Sequence, residues 1–423
     1  MPPVSTTTTL VDRAAEVLPG GVSSNVRLAH ADVVFDRGER CHLWDSNGRH
    51  YIDYLLGQGP AFLGHGEPRV NAAVAEAVQH GMVYGATHRL EIEATEALLG
   101  AIGWADQARL CVSGTEADHG AVRLARGATG ATRLVRFTGS YHGWLNDMLA
   151  DYSQRPPTVA SRGQLPDSFD HTDFVPFNDL PAVAAALSRG DVAAVIVEPI
   201  MCNNGVLVPK EGFLAGLRAL CDEHGALLIF DEVITGFRLA LGGAVERFGV
   251  TPDLAVYGKA LAGGWPVAAI AGRRDLMSLI GTNTVNHSGT FNASVMAAAA
   301  VKATIEVLRD DDPYDALEGT GQRLQRGLAG VAADLGVPMR VAGVSAAFHV
   351  GFADPATEVS TFDHVARLDL ARYAAFASVL AEHGIWVAGR GIWYVSTSVT
   401  DNDVAETIDR FHAALSQEVR SRG

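Results

Sequence analysis

Three short apolar runs, each closed by a residue with acid–base chemistry, constrain this chain more than any other feature. Val195-Ile-Val197 ends at Glu198, Ala226-Leu-Leu-Ile-Phe230 ends at Asp231, and Leu254-Ala-Val-Tyr257 leads through Gly258 to Lys259. The runs are continuous rather than alternating, as in parallel strands buried on both faces. In open α/β sheets, ligands bind at the carboxyl ends of such strands. The pattern therefore predicts a doubly wound α/β fold that collects two acids and a lysine at one sheet edge.

Lysine shifts its pKa readily when desolvated and is the usual residue for imine formation with a carbonyl compound. Gly258 and the pair Gly263-Gly264 allow close backbone approach to a ligand and a sharp turn. Taken alone, a lysine at a strand end is as readily an ordinary surface residue. A Walker phosphate loop is excluded, because Asp253 stands where that motif wants glycine and Ala260 where it wants Ser or Thr. Asp231 could pair with a protonated ring nitrogen and keep that ring electron-withdrawing, or simply cap the following turn. Upstream, Arg109-Leu-Cys-Val112 reads as a strand and Ser113-Gly-Thr-Glu-Ala117 as the start of a helix, whose free N–H groups suit an anion. Ser113 and Glu116 also fit a capping box, and both readings can hold together.

These stretches, Asp253 to Pro266 and Asp231-Glu-Val-Ile-Thr-Gly-Phe-Arg238 above all, resemble the class III aminotransferases, pyridoxal 5'-phosphate enzymes of fold type I. The resemblance covers nearly the whole chain. It implies a large domain with a doubly wound, mostly parallel sheet over residues 55–308. A smaller α+β domain is implied from 1–54 and 309–423. It makes Lys259 the Schiff-base lysine and Asp231 the partner of the pyridine nitrogen. Ser113, Gly114 and Thr115 would hold the phosphate, and Val233 counts among the cofactor contacts. In Ser140-Tyr-His-Gly143 it carries ring stacking to Tyr141, while His142 reads equally as a core histidine. Glu198 and Asn203 match positions near the phenolic oxygen. Thr290, in His287-Ser-Gly-Thr-Phe-Asn292, matches a threonine that completes the neighbouring subunit's phosphate site, which implies a homodimer with a shared active site.

Within that family, Gly20-Gly-Val-Ser-Ser-Asn-Val-Arg27 is similar to the glutamate-1-semialdehyde aminomutase subgroup, in which the arginine clamps a substrate carboxylate. Three departures count against that activity. The subgroup has an aromatic residue within Gly57-Gln-Gly-Pro60, a different run after Tyr-His-Gly, and a glutamate about where Gly391 stands. Gly389-Arg-Gly-Ile-Trp393 instead resembles aminotransferases of β-amino acids, with Arg390 meeting a carboxylate. The motifs thus favour transamination between an amino donor and a carbonyl acceptor through the pyridoxamine form of the cofactor. The aminomutase and a racemase or epimerase are the alternatives.

A formal charge of -15 argues against non-specific nucleic-acid binding. Four cysteines without Cys-x-x-Cys spacing suit a reducing compartment and argue against zinc, and no other metal is expected. Met1 to Thr9 reads as neither signal peptide nor anchor, and no later run reaches the roughly eighteen apolar residues of a spanning helix. A cytoplasmic protein is expected. Strands are predicted at Asp32 to Phe35, Tyr51 to Tyr54, Ala346 to Val350 and Trp393 to Ser396, and a helix from Tyr314 to Leu335.

Overall fold

Seven strands build the sheet that carries the chemistry, in a computed structural model that describes residues 9–422. Of the stretch from Met1 to Thr9, all but Thr9 lies outside the described residues. In chain order the strands are β1 (Gln107–Cys111), β2 (Arg133–Phe137), β3 (Thr172–Val175), β4 (Val192–Val197), β5 (Leu227–Glu232), β6 (Leu254–Tyr257) and β7 (Ala268–Gly272). Their spatial order is β1-β7-β6-β5-β4-β2-β3. Only β7 runs antiparallel to its neighbours, so the carboxyl ends of the other six point the same way.

Every residue of β4, β5, β6 and β7 is buried, which is why these strands read as unbroken apolar runs. Each Val, Leu or Ile so buried contributes about 1.5–3 kcal/mol. β5 continues through Glu232, so Asp231 sits within its last turn of pleat, opposite Val256 of β6, rather than just beyond the strand.

Helix α1 (Gly114–Thr129) follows β1. Ser113 caps it, its Oγ accepting the Glu116 N–H at 3.3 Å, and Gly130 ends it in the left-handed conformation (φ 72°). The expected capping box is only half present: the Glu116 carboxylate accepts from Val112 N at 3.0 Å rather than from Ser113. Helix α2 (Val295–Asp311) is buried almost all round; its run Ala297-Ala-Ala-Ala300 lets Pro68–Ala77 and Arg89–Ile102 pack close.

The N- and C-terminal parts of the chain meet in smaller sheets. Phe35–Glu39, His42–Asp45 and His50–Asp53 form a meander. Ile385–Trp386 joins it in parallel, Ile385 opposite Ile52. Met339–Val344, Ala347–Phe352 and Ile392–Tyr394 form a second, antiparallel sheet. The two are stitched through Tyr54, which donates to Trp386 O and accepts from Tyr394 N, both at 2.8 Å. The strand predicted at Asp32 to Phe35 starts only at Phe35. Its partner strand stops at Asp45, whose carboxylate is committed to a turn, accepting from Asn47 N and Arg49 N at 2.9 and 2.8 Å. The predicted helix runs from Tyr314 to Asp334, and the C-terminal strands end at Phe352 and Tyr394. Among the described residues no helix is long and apolar enough to cross a membrane, and all four cysteines are free and buried.

Candidate active site

The carboxyl ends of β1, β2, β4, β5 and β6 surround one cavity of about 150 Å³. Of the residues singled out in the sequence, Gly114, Thr115, Tyr141, Glu198, Asn203, Asp231, Val233 and Lys259 all line it. Ser113 does not; its side chain is spent on the helix cap.

Lys259 follows Gly258 at the end of β6, with its own backbone in the left-handed region (φ 44°), an uncommon conformation for a residue with a side chain that clusters at functional sites. The side chain reaches the cavity but is otherwise enclosed by protein. That desolvation, reinforced by the nearby guanidinium groups of Arg390 and Arg238, lowers its pKa to about 8, against the opposing pull of Asp231 and Glu198.

Asp231 is held from two sides. His142 Nδ1 lies 2.6 Å from Oδ2, and Val233 N donates to Oδ1 at 3.0 Å. A carboxylate can only accept, so Nδ1 carries the proton. His142 is fully buried, which depresses its own pKa. It is thus the core histidine the sequence allowed, and it also orients the acid. Glu198 accepts from Tyr141 N at 2.8 Å; burial first, then the charge of Asp231, pushes its carboxyl up to about 8.

The helix start is shaped as a cradle. A Cβ on Gly114 would come within 3.0 Å of Val233 Cγ2, and one on Gly143 within 2.6 Å of Thr115 Oγ1. Glycine at both places leaves the first turn of α1 open to a ligand. An amine with a lowered pKa, an oriented carboxylate and free N–H groups at a helix start fit a phosphorylated aldehyde with a basic ring.

Arg390 does not line this cavity but meets its wall, at Asn203, from the other part of the chain. Its Nη2 donates to Gln58 Oε1 at 2.8 Å and to Asn203 Oδ1 at 3.3 Å. Arg27, in the 3₁₀ turn Asn25–His30, does not line the cavity. It lies on a second one of about 460 Å³, to which Gln58 and Trp386 also contribute. Thr290 is exposed on the turn before α2 and lines neither.

One participant escaped the sequence reading, and a second was seen without its role. Asp118 lines the cavity fully buried, with Oδ1 unpartnered. Burial first, then Asp231 and Glu198, raises its pKa well above the usual carboxylate range. Its spacing of four from Gly114 places it one turn further on the same helix face, a signal the sequence did contain. Gln58 stood in the legible stretch Gly57-Gln-Gly-Pro60, but its role did not show, since its partner Arg390 is 332 residues away.

Comparison with known proteins agrees with this architecture. Residues 23–415 match the model of the family described as Aminotransferase class-III. Glutamate-1-semialdehyde 2,1-aminomutase of Nitratidesulfovibrio vulgaris is 40% identical over 416 residues, covering 96% of this chain and 97% of that protein. Bacterial proteins of the same name match at 37–41% over similar lengths. Among solved structures, an omega-transaminase from Sphaerobacter thermophilus superposes with a TM-score of 0.90 at 29% identity, over 100% of this chain and 99% of that one. A beta-phenylalanine aminotransferase from Variovorax paradoxus gives 0.86 at 31% identity, over 98% and 93%. The fold is that of the fold type I pyridoxal-phosphate enzymes, and the chain belongs to the class III aminotransferase family.

Proposed function

We propose that this protein is a glutamate-1-semialdehyde 2,1-aminomutase, which relocates an amino group within one five-carbon skeleton to give 5-aminolevulinate. The observation that carries the reading is the likeness at 37–41% identity, over nearly the full length, to aminomutases of that name. It reverses the order suggested by the motifs, which favoured exchange between two substrates. That second reading, transamination of a β-amino acid, keeps one specific support: Arg390 is bonded to Gln58 and to Asn203, and Asn203 lines the cavity. Racemisation or epimerisation has none.

The cofactor is pyridoxal 5'-phosphate, which when bound supplies a carbonyl group for the amine and an electron sink for the carbanion. Lys259 would hold its carbonyl carbon. Asp231, fixed by His142, would face the ring nitrogen, Tyr141 the ring and Asn203 the phenolic oxygen. The first turn of α1 would hold the phosphate, with Ser113 shaping that turn as its cap. Glu198 fixes the Tyr141 backbone, and Val233 closes the cradle over Gly114. With a pKa of about 8, the Lys259 amine can both take and return a proton near neutral pH. Thr290 is read as serving a second copy of the chain, Arg27 and Arg390 as carboxylate contacts. The division into 1–54, 55–308 and 309–423, with the first and last joined, is our reading; the pairing of Ile385 with Ile52 supports it. We place the enzyme in the cytoplasm, in keeping with four free thiols.

The test is to give the purified holoenzyme glutamate 1-semialdehyde alone. Steady formation of 5-aminolevulinate without a second carbonyl compound is the expected result. No turnover, together with conversion of β-amino acids to keto acids when a keto acid is supplied, would replace this reading with transamination.

A further inference from the structure

Arg390 carries a charge that the protein orients but does not neutralise. Among the described residues its side-chain hydrogen bonds both leave from Nη2, and both acceptors are neutral amide oxygens, Gln58 Oε1 and Asn203 Oδ1. Nε is buried without a partner, and among the described residues no carboxylate pairs with this guanidinium. Enclosed cations are normally paired with an anion. Here the pairing capacity is left open beside the cavity that holds Lys259.

The loop that supplies Gln58 is built to hold it still. Leu56, Gly57, Gln58 and Gly59 all have positive φ, at 50, 65, 77 and 99°. A glutamine at +77° is strained, and such conformations persist where the surroundings over-determine them. Arg238, fully buried behind the loop, donates to the Gly59 carbonyl. It lies 5.0 and 5.1 Å from the ring centres of Phe62 and Tyr394. A Cβ on Gly59 would press within 3.3 Å of its Nη2. The amide of Gln58 is therefore presented by a clamped backbone.

We propose that Gln58 is a positioning residue that sets substrate specificity: its neutral amide fixes the direction of the Arg390 guanidinium while leaving its charge for a substrate carboxylate. The inference rests on the reading that a carboxylate meets Arg390, and it explains why an amide, rather than an acid, stands at 58. An acid there would form a charge-assisted pair with Arg390 and consume the charge. An apolar side chain would leave the guanidinium held by the longer bond to Asn203 alone.

The test compares two ligands of the holoenzyme, pentanoate and its uncharged counterpart pentanamide, with dissociation constants read from the cofactor's visible absorbance. Gln58→Glu is expected to weaken pentanoate at least tenfold, and Gln58→Met by about threefold, with pentanamide moved less than twofold in both. Gln58→Gly relaxes the +77° backbone yet removes the amide. It should fold at least as well as the native protein and still lose pentanoate affinity, which a purely structural role would not produce. If Arg390→Ala loses pentanoate while all three Gln58 variants bind it normally, the role of Gln58 is overturned and the Arg390 reading stands. If Arg390→Ala binds pentanoate as before, the reading and the inference fall together.

Discussion

Lys259 is held where its charged form is disfavoured, and that has a consequence apart from catalysis. Its pKa falls from 10.5 to about 8 in the folded protein. Between those values the unfolded chain binds more protons at this site than the folded one, so stability contributed here rises with pH. Below pH 8 the charged amine imposes its full cost, at most about 3 kcal/mol and less wherever cavity water solvates it. Above 10.5 the cost is gone. Cofactor-free Lys259→Met is therefore expected to be more stable than the cofactor-free native protein at pH 7, and the gap should shrink towards pH 10. Urea denaturation of both proteins at the two values checks this; a gap that does not change with pH would refute the burial of charge. His142 offers a second check. Its bond to Asp231 is short and fully buried, and hydrogen bonds to charged groups contribute about 1.5–3 kcal/mol. His142→Phe should thus loosen the cofactor roughly 10- to 100-fold, measured by equilibrium dialysis, while the chain stays folded.

At the scale of elements, the site depends on how one turn fits against the start of one helix. Gly143, at φ 95°, passes so close to α1 that a methyl group would meet Thr115 Oγ1 at 2.6 Å and Thr115 Cα at 2.8 Å. Gly143→Ala should push the first turn of α1 out of line. The expected effect is at least a tenfold loss of cofactor affinity, with a stability loss of about 1–3 kcal/mol, measured by cofactor titration and thermal melting. Ala substitution at Gly130, at φ 72° but with nothing within 4 Å, should cost stability alone. The same elements explain what the sequence disclosed. β4, β5 and β6 were legible because burial on both faces leaves unbroken apolar runs, and the residues at their ends followed with them. Asp118 was overlooked because an acid inside a helix ordinarily faces solvent; here it turns towards the cavity with Oδ1 buried and unpartnered. Gln58 could be seen but given no role, because its meaning lies in Arg390 and Arg238, which only the packing of distant segments brings to the same loop.

For the whole molecule, the question is what covers the surface around Thr290. Phe291 beside it is 63% exposed, and Tyr84 is 50% exposed, on a segment whose Met82 carbonyl accepts from Val295 N at 3.0 Å. Met82 and Val83 are exposed as well. Apolar residues gathered in this way on a folded chain mark an interaction surface more often than bare solvent contact. A second copy of this chain would cover the patch and could bring its Thr290 to the helix start that the first copy leaves open. Sedimentation is therefore expected to give twice the mass of one chain. Phe291→Glu, which replaces the most exposed of these apolar side chains by a charge, should shift the protein towards monomers and weaken cofactor binding in proportion. Thr290→Val should leave the dimer intact and weaken binding of the cofactor's phosphate about tenfold, the loss of one hydrogen bond to a charged group. The two variants separate assembly from site completion. A Phe291→Glu monomer that binds the cofactor as tightly as the native protein would mean that each chain completes its own site, and Thr290 would then have no part in it.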